Sequence, residues 1–203
     1  MKLEPRKEPR QARSKAMVDT ILDATACVLI KRGYAKTNTN VVAEVAGISV
    51  GSLYQYYPNK NALIIALRER HVAKMLDLYL GVAANMAPDG SLENNLQALI
   101  DALVSAHLLK PELYRILEEE VSSCNVPESS EVRQKFFAET KILLSRHRAE
   151  LAIDDIDLAA FVVMRILKTM VKTVVLPVPA GVDSSNLQAE ILPAVLGYLK
   201  QPR

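Results

Sequence analysis

The chain has 203 residues, half of them hydrophobic, with seven glycines and no tryptophan. This length fits one small domain and one larger one, and the composition, which shows little strand signal, predicts an all-α protein. No apolar run reaches the ~18 residues that cross a bilayer, so we expect no membrane segment. The two cysteines, Cys27 and Cys124, form no CxxC motif, which favours a reduced, cytoplasmic protein.

Charge is distributed unevenly along the chain, although the net charge of +2 says little by itself. Residues 1–60 hold ten lysines and arginines against five acidic residues, a net charge of +5. Residues 61–203 hold fifteen against eighteen, a net charge of −3. A surface that binds phosphates must be positive, so the N-terminal part is the candidate nucleic-acid surface.

The first predicted elements are a tail and a long helix. Residues 1–13 are polar, basic and contain two prolines, so we expect disorder. They form either an arm that follows DNA or a solubilising tail, and the sequence favours neither. Residues 14–32 have apolar positions at helical spacing. We expect Ser14 to begin this helix and Gly33 to end it.

Two short helices and a tight turn follow between residues 38 and 60. The side chain of Asn38 can cap the first helix, and Gly47 suits a left-handed turn after it. Ser49 can cap the second helix, which Pro58 ends. This is the helix-turn-helix pattern, in which the second helix enters the DNA major groove. The alternative is a buried helical hairpin with no ligand.

The second helix carries no charge, which is unusual for a solvated helix. Leu53 is its predicted core residue, with Tyr57 one turn later. Small Gly51 permits close approach to a groove wall, while Gln55 can bind a base edge. Lys60, just past the helix, is positioned to meet a phosphate.

Residues 14–67 resemble the DNA-binding domain of the TetR (tetracycline repressor) family of bacterial regulators. The resemblance is carried by the helix ending in Gly33-Tyr34, by the polar run before Val41, by Ala46-Gly47-Ile48-Ser49 and by Leu53-Tyr54-x-Tyr56-Tyr57-Pro58-x-Lys60. Tyr57 replaces the more usual Phe and Asn38 the more usual Thr or Ser, and both replacements keep the chemistry.

The resemblance implies a three-helix DNA-binding domain over 14–60 and a larger helical ligand-binding and dimerisation domain over 61–203. It implies a cytoplasmic bacterial regulator and not an enzyme. In the family, the position of Asn40 often contacts a base and that of Tyr54 a phosphate. The DNA contacts carried over are Thr39, Asn40, Ser49, Val50, Gly51, Ser52, Tyr54, Gln55, Tyr56 and Lys60.

Six further helices are predicted from periodicity and from start and stop signals. They cover residues 61–86, 91–110, a short helix from Pro111, 128–151, 156–176 and a last helix capped by Ser185 with Gln188. Pro193 would kink the last helix or mark a late start.

The last two helices are too apolar to remain uncovered in a small chain. The family pairs them with a twofold mate in a four-helix bundle, which also sets two recognition helices at successive major grooves. We expect Arg165 to pair with an acidic residue at that interface rather than to anchor a ligand. The predicted interface comprises Phe161, Arg165, Leu187, Ile191, Val195 and Tyr198.

The family also implies a small-molecule pocket within residues 70–175, mostly apolar with a few polar groups. The three histidines do not cluster, so no metal is predicted, and no cofactor is expected. The pocket candidates, each of which is also a reasonable core residue, are Met75, Tyr79, Leu103, His107, Tyr114, Phe136, Phe137, Phe161, Met164 and Lys168.

Three functions therefore compete. The first is a repressor that binds a quasi-palindromic operator as a homodimer and is released by a small-molecule effector. The second is a DNA-binding regulator controlled by a protein partner. The third, a helical-bundle enzyme, ranks last because the sequence shows no nucleophile elbow, phosphate loop or metal-ligand spacing.

Overall fold

The computed structural model describes residues 12–87, 90–119 and 130–201. These ranges contain helices and no strands, which confirms the predicted all-α class. Most of the basic arm predicted over 1–13, and Cys124, lie outside them. The described helices are α1 (Ala12–Lys36), α2 (Thr39–Val45), α3 (Val50–Tyr56), α4 (Lys60–Ala84), α5 (Leu92–Leu108), α6 (Pro111–Glu119), α7 (Ser130–Arg146), α8 (Ile156–Thr173) and α9 (Ile191–Lys200).

The chain divides into two compact units. We call the first, Met1–His71 with Glu112–Pro127, the head, and the second, Val72–Pro111 with Glu128–Arg203, the body. The boundary lies inside α4, later than the predicted boundary at residue 60. The reason is that the first turns of α4 are apolar and pack into the head, and α6 joins the head in the same way.

The head core is a single hydrophobic cluster built from five helices. Helix α1 presents residues at helical spacing, and the shorter helices α2 and α3 each present a narrow apolar side. Fully buried side chains include Ile21, Leu29, Val42, Leu53, Leu63 and Leu67, and α6 adds Leu113, Ile116 and Leu117.

Helix α1 differs from its predicted bounds at both ends. It already includes Ala12, so Ser14 lies inside the helix and does not cap it. Gly33 has φ 72° and ψ 170°, a left-handed conformation suited to glycine, and produces a kink after which helical hydrogen bonding resumes to Lys36. The hydroxyl of Thr37 donates to the carbonyl of Gly33 at 2.8 Å and stabilises the backbone at this kink.

The body has its own core, formed by α5, α7, α8, α9 and the later turns of α4. Tyr79 is buried in it, with its hydroxyl 2.9 Å from that of Thr140 and its ring edge-on to Phe136. Asp155 caps α8 by accepting from the backbone N–H of Leu158 at 2.9 Å.

The last helix begins later than predicted. Residues Leu187–Glu190 form a 3-10 turn without a side-chain cap, and α9 starts at Ile191, so the predicted capping box of Ser185 and Gln188 is wrong. Pro193 lies in the first turn, where its missing N–H costs no hydrogen bond. Among the described helices, none is long and apolar enough to cross a bilayer.

Candidate nucleic-acid interface

The α2-turn-α3 unit is held by local hydrogen bonds that the sequence predicts. Asn38 Oδ1 accepts from the N–H of Val41 at 3.0 Å, and Ser49 Oγ accepts from the N–H of Ser52 at 3.0 Å. Between them Gly47 adopts φ 67°. These contacts confirm both predicted caps and the glycine turn.

The turn after α2 is a complete Schellman motif. The N–H of Gly47 donates to Glu44 and that of Ile48 donates to Ala43, at 3.1 and 3.0 Å. Ile48 then packs against the head core, as this motif favours. The motif fixes the direction in which α3 leaves the turn, so α3 is positioned by backbone geometry as well as by packing.

Helix α3 is oriented by one buried side chain. Leu53 is 0% exposed, and Tyr57, the first residue after the helix, is 3% exposed. Burial raises the pKa of Tyr57 to about 12. Because Leu53 faces inward, Gly51, Tyr54 and Gln55 lie on the exposed side of the helix.

The ten predicted DNA contacts differ in exposure. Thr39 is buried, and its hydroxyl lies 3.0 Å from that of Tyr54. It therefore supports Tyr54 at the surface. The remaining contacts are exposed at Asn40, Ser49, Gly51, Tyr54 and Gln55 and half-buried at Val50, Ser52, Tyr56 and Lys60.

Lys60 is engaged within the head. Its Nζ donates to the carbonyl of Tyr34 at 3.1 Å and lies 4.0 Å from the centre of the Tyr34 ring. The hydroxyl of Tyr34 donates in turn to Asn61 Oδ1 at 3.1 Å. Residues 34 and 60 are far apart in the sequence, so the motif gave no signal of this contact.

The residues predicted to line the ligand pocket do not form one site. Tyr114 belongs to the head, where its ring lies 5.2 Å from that of His71. His107 is buried, and its Nδ1 lies 2.6 Å from the carbonyl of Leu103 in the same helix. Of the others, Met75, Tyr79 and Leu103 are buried, Phe136, Phe137 and Met164 are half-buried, and Phe161 and Lys168 are exposed. Apolar periodicity does not specify which core a helix joins, and the pocket role of these residues stays a prediction.

A groove in the body lies between the end of α4 and α7 instead. Its volume is about 280 Å³, near the lower end for small-molecule sites. The sequence did not single out this place, although both segments are apolar on one side. The groove is lined by Leu80, Ala83, Ala84, Met86, Glu139, Ile142, Leu143 and Arg146.

The predicted dimer residues separate into two groups. Phe161 is 50% exposed, and the Arg165 guanidinium lies 5.2 Å from its ring centre rather than against an acidic residue of the described chain. In contrast, Ile191 and Val195 are fully buried in the core of one chain. The apolar stripe of α9 packs into its own body, so these two side chains expose no surface to a partner in this structure, and the predicted interface stays a prediction. Leu187 and Tyr198 are half-buried.

Comparison with known proteins gives matches over both parts of the chain. Residues 21–67 match the family described as bacterial regulatory proteins, tetR family, and residues 91–199 match the tetracyclin repressor-like C-terminal domain. Among solved structures, the fatty acid degradation regulator FadR from Bacillus halodurans superposes with a TM-score of 0.70 at 20% identity, covering 91% of this chain and 96% of that one. At this identity the likeness shows the fold alone.

Curated relatives match a short part of the chain, as two of them show. The uncharacterized HTH-type transcriptional regulator YvkB of Bacillus subtilis is 39% identical over 51 residues, which are 25% of this chain and 27% of that protein. The HTH-type transcriptional repressor KstR of Mycolicibacterium smegmatis is 38% identical over 55 residues, 27% of either protein. The alignments thus span only about a quarter of these relatives. The C-terminal match alone, however, covers more than half of the 203 residues, and the chain belongs to the TetR family of bacterial transcriptional regulators.

Proposed function

We propose that this protein is a transcriptional repressor that binds a quasi-palindromic operator as a homodimer and leaves it when a small-molecule effector binds. The observation that carries the proposal is the exposed, uncharged face of α3. Leu53 is fully buried beneath it, and Gly51, Tyr54 and Gln55 are exposed. The second helix of a helix-turn-helix enters the DNA major groove, where small side chains permit close approach and hydrogen-bonding side chains can contact base edges.

Base reading is proposed for Gln55 and for Asn40, which are both exposed. An amide can form a bidentate pair with adenine, which discriminates against other bases by ~1–3 kcal/mol. Tyr54 and Ser49 carry hydroxyl groups that can contact phosphates, which position the protein without reading the sequence. Such a role places the protein where the chromosome is, in the bacterial cytoplasm.

The exposed apolar residues of α8 support the proposed homodimer. Leu158 and Phe161 are 44% and 50% exposed, an arrangement that a second copy would cover. A twofold dimer also matches the geometry of paired half-sites, whose centres lie about 34–36 Å apart or a multiple of that. Half-buried Tyr198 and Leu187 remain available to border such an interface.

The groove between α4 and α7 is the candidate effector site. Six of its eight lining residues are apolar, and Glu139 and Arg146 are the polar ones. This lining suits a mainly apolar molecule with a polar group. The Bacillus halodurans protein of similar fold is named as a fatty acid degradation regulator, so a long-chain fatty acid is the first effector to test.

The experiment measures binding of the purified protein to duplexes from its own promoter region by gel shift and fluorescence anisotropy at low and moderate salt. We expect tight binding to one duplex, weaker binding to a shuffled duplex, and release by the fatty acid but not by a detergent of equal chain length. Absence of binding to every duplex at low salt would refute the proposal. Release that requires an added protein and no small molecule would favour the partner-controlled regulator.

A further inference from the structure

The groove between α4 and α7 carries one acidic and one basic side chain, and both belong to α7. Its α7 wall is formed by Glu139, Ile142, Leu143 and Arg146, positions that repeat at the spacing of one helix face. The two charged residues therefore lie on the same side of α7, with the two apolar residues between them. They are seven positions apart, which corresponds to about 10 Å along the helix axis.

The two charges are not neutralised by the body itself. In the part of the chain that the structure describes, neither Glu139 nor Arg146 forms a side-chain hydrogen bond or an ion pair. Other charges of α7 are paired, as Lys141 is with Asp157 at 2.5 Å. A carboxylate and a guanidinium on one wall of the groove are therefore available to a ligand.

The α4 wall of the groove is apolar and includes two small side chains. Helix α4 contributes Leu80, Ala83 and Ala84, and Met86 follows the end of the helix. The volume of the groove is about 280 Å³, near the lower end for small-molecule sites. This small, mostly apolar space favours one slender chain over a large ring system.

The two ends of the groove differ in their surroundings. Burial raises the pKa of Tyr79 in the body core to about 12, and the negative charge of Glu139 adds to this rise. Glu139 is half-buried, whereas Arg146 is exposed and lies in the last turn of α7. A ligand carboxylate is attracted at the Arg146 end and repelled at the Glu139 end, so the charges fix the direction of a bound carboxylic acid.

A plain hydrocarbon tail would leave Glu139 without a partner. A fatty acid bound by Arg146 would place methylene groups against a half-buried carboxylate and displace its water, which is unfavourable for a charged group. A hydroxyl group at that point would donate a hydrogen bond to the carboxylate and remove this penalty. An ammonium there would bring a second charge into a mostly apolar groove, which costs more.

We infer that the groove selects a medium-chain carboxylic acid with a hydroxyl group at its far end. Arg146 binds the carboxylate, Glu139 accepts from the hydroxyl, and Ile142 and Leu143 contact the chain between them. The two polar ends of the ligand lie about 10 Å apart, like the two charged residues along α7. The inference rests on the proposed effector site and narrows its ligand from a fatty acid to a hydroxylated one.

The test measures the binding of three probes to the full chain by isothermal titration calorimetry, in the absence of DNA. The first probe is ω-hydroxydecanoic acid. Decanoic acid lacks its hydroxyl, and the methyl ester of ω-hydroxydecanoic acid lacks its negative charge. We expect the first probe to bind about tenfold to a hundredfold more tightly than either of the others, the effect of one hydrogen bond to a charged group.

Three variants assign the two ends of the ligand. Arg146→Gln should abolish the preference for the free acid over its methyl ester and keep the preference for the hydroxyl. Glu139→Leu should weaken binding of ω-hydroxydecanoic acid and strengthen binding of decanoic acid, because an apolar side chain suits a methyl end. Lys74→Gln removes an exposed charge elsewhere in the body and should change neither preference. The probe series on the wild type remains decisive if a variant does not fold.

Equal affinity of the wild type for ω-hydroxydecanoic acid and decanoic acid, or no binding of any probe, would overturn the inference. An equal effect of Lys74→Gln and Arg146→Gln would do the same. Duplex release by the same probes separates this inference from the proposed function. If decanoic acid binds as tightly as its hydroxy analogue and releases the duplex, the inference fails and the proposed function stands. If the hydroxy acid is preferred but releases no duplex, the inference stands and release by this effector fails.

Discussion

The hydroxyl groups of Thr39 and Tyr54 lie 3.0 Å apart and join the start of α2 to the exposed side of α3. Thr39 is buried, whereas Tyr54 is 39% exposed. The hydrogen bond therefore holds the exposed hydroxyl of Tyr54 in place through Thr39, whose own side chain is buried. The sequence resemblance gives both residues as DNA contacts, which stays a prediction, and in this structure only Tyr54 is exposed.

A double-mutant cycle with Thr39→Val and Tyr54→Phe tests this division of roles. In the absence of DNA we expect a coupling of about 0.5–1 kcal/mol in the free energy of unfolding, the contribution of one partly exposed hydrogen bond. Urea unfolding measures it. Tyr56→Phe is the control, because this ring on the same helix also packs against the head core. Strictly additive effects of the two substitutions would contradict the contact.

Gln55→Ala tests base reading. The exposed amide should discriminate between bases, so its loss should reduce the ratio of operator to non-operator affinity by about fivefold to 150-fold, equivalent to ~1–3 kcal/mol. The salt slope should remain nearly unchanged, because no charge is removed. Anisotropy titrations against a set of single-base operator variants would show this. An equal loss of affinity for all sequences would exclude a reading role for Gln55.

Leu117→Ala tests whether α6 belongs to the head. Leu117 is 1% exposed within the head core, so we expect a loss of ~2–5 kcal/mol in unfolding free energy. Leu109→Ala is the control. This residue is 80% exposed, and its truncation should change stability by no more than about 0.5 kcal/mol. Circular dichroism during urea unfolding provides the comparison, and similar losses for the two variants would contradict the packing.

Phe161→Asp tests the proposed dimer surface on α8. A charge at a contact between two copies is expensive to bury, so we expect monomers at micromolar concentration in analytical ultracentrifugation. Ile142→Asp makes the same change at a residue of similar exposure on α7, 43% against 50%, and should leave the assembly unchanged. Dimers of undiminished stability in Phe161→Asp would exclude Phe161 from the interface.

Alkaline pH should destabilise the body through Tyr79. Burial raises the pKa of Tyr79 from 10.0 to about 12. The unfolded chain therefore releases this proton first, and stability should fall as pH rises from about 10 towards 12. Below pH 10 the contribution is fully present. Unfolding midpoints between pH 8 and 12 should fall less steeply in Tyr79→Phe, and parallel curves would refute the assignment.

Several local features of this structure could be predicted from short stretches of the sequence. The caps at Asn38 and Ser49, the turn at Gly47 and the buried Leu53 follow from hydrogen bonds and packing among residues a few positions apart. These interactions join residues that are close in the sequence, because a helix N-cap needs only one side-chain acceptor and the turn needs only one residue that adopts a left-handed conformation. The helical class and the position of α3 could therefore be predicted.

Only the tertiary structure decided which surfaces meet. Periodicity shows that α6 and α9 have apolar sides, but it does not show that Tyr114 packs in the head or that Val195 is buried in its own chain. The contact of Lys60 with Tyr34 joins residues 26 positions apart. Such contacts depend on how whole helices pack, and packing selects partners by shape across long separations, which a local pattern does not encode.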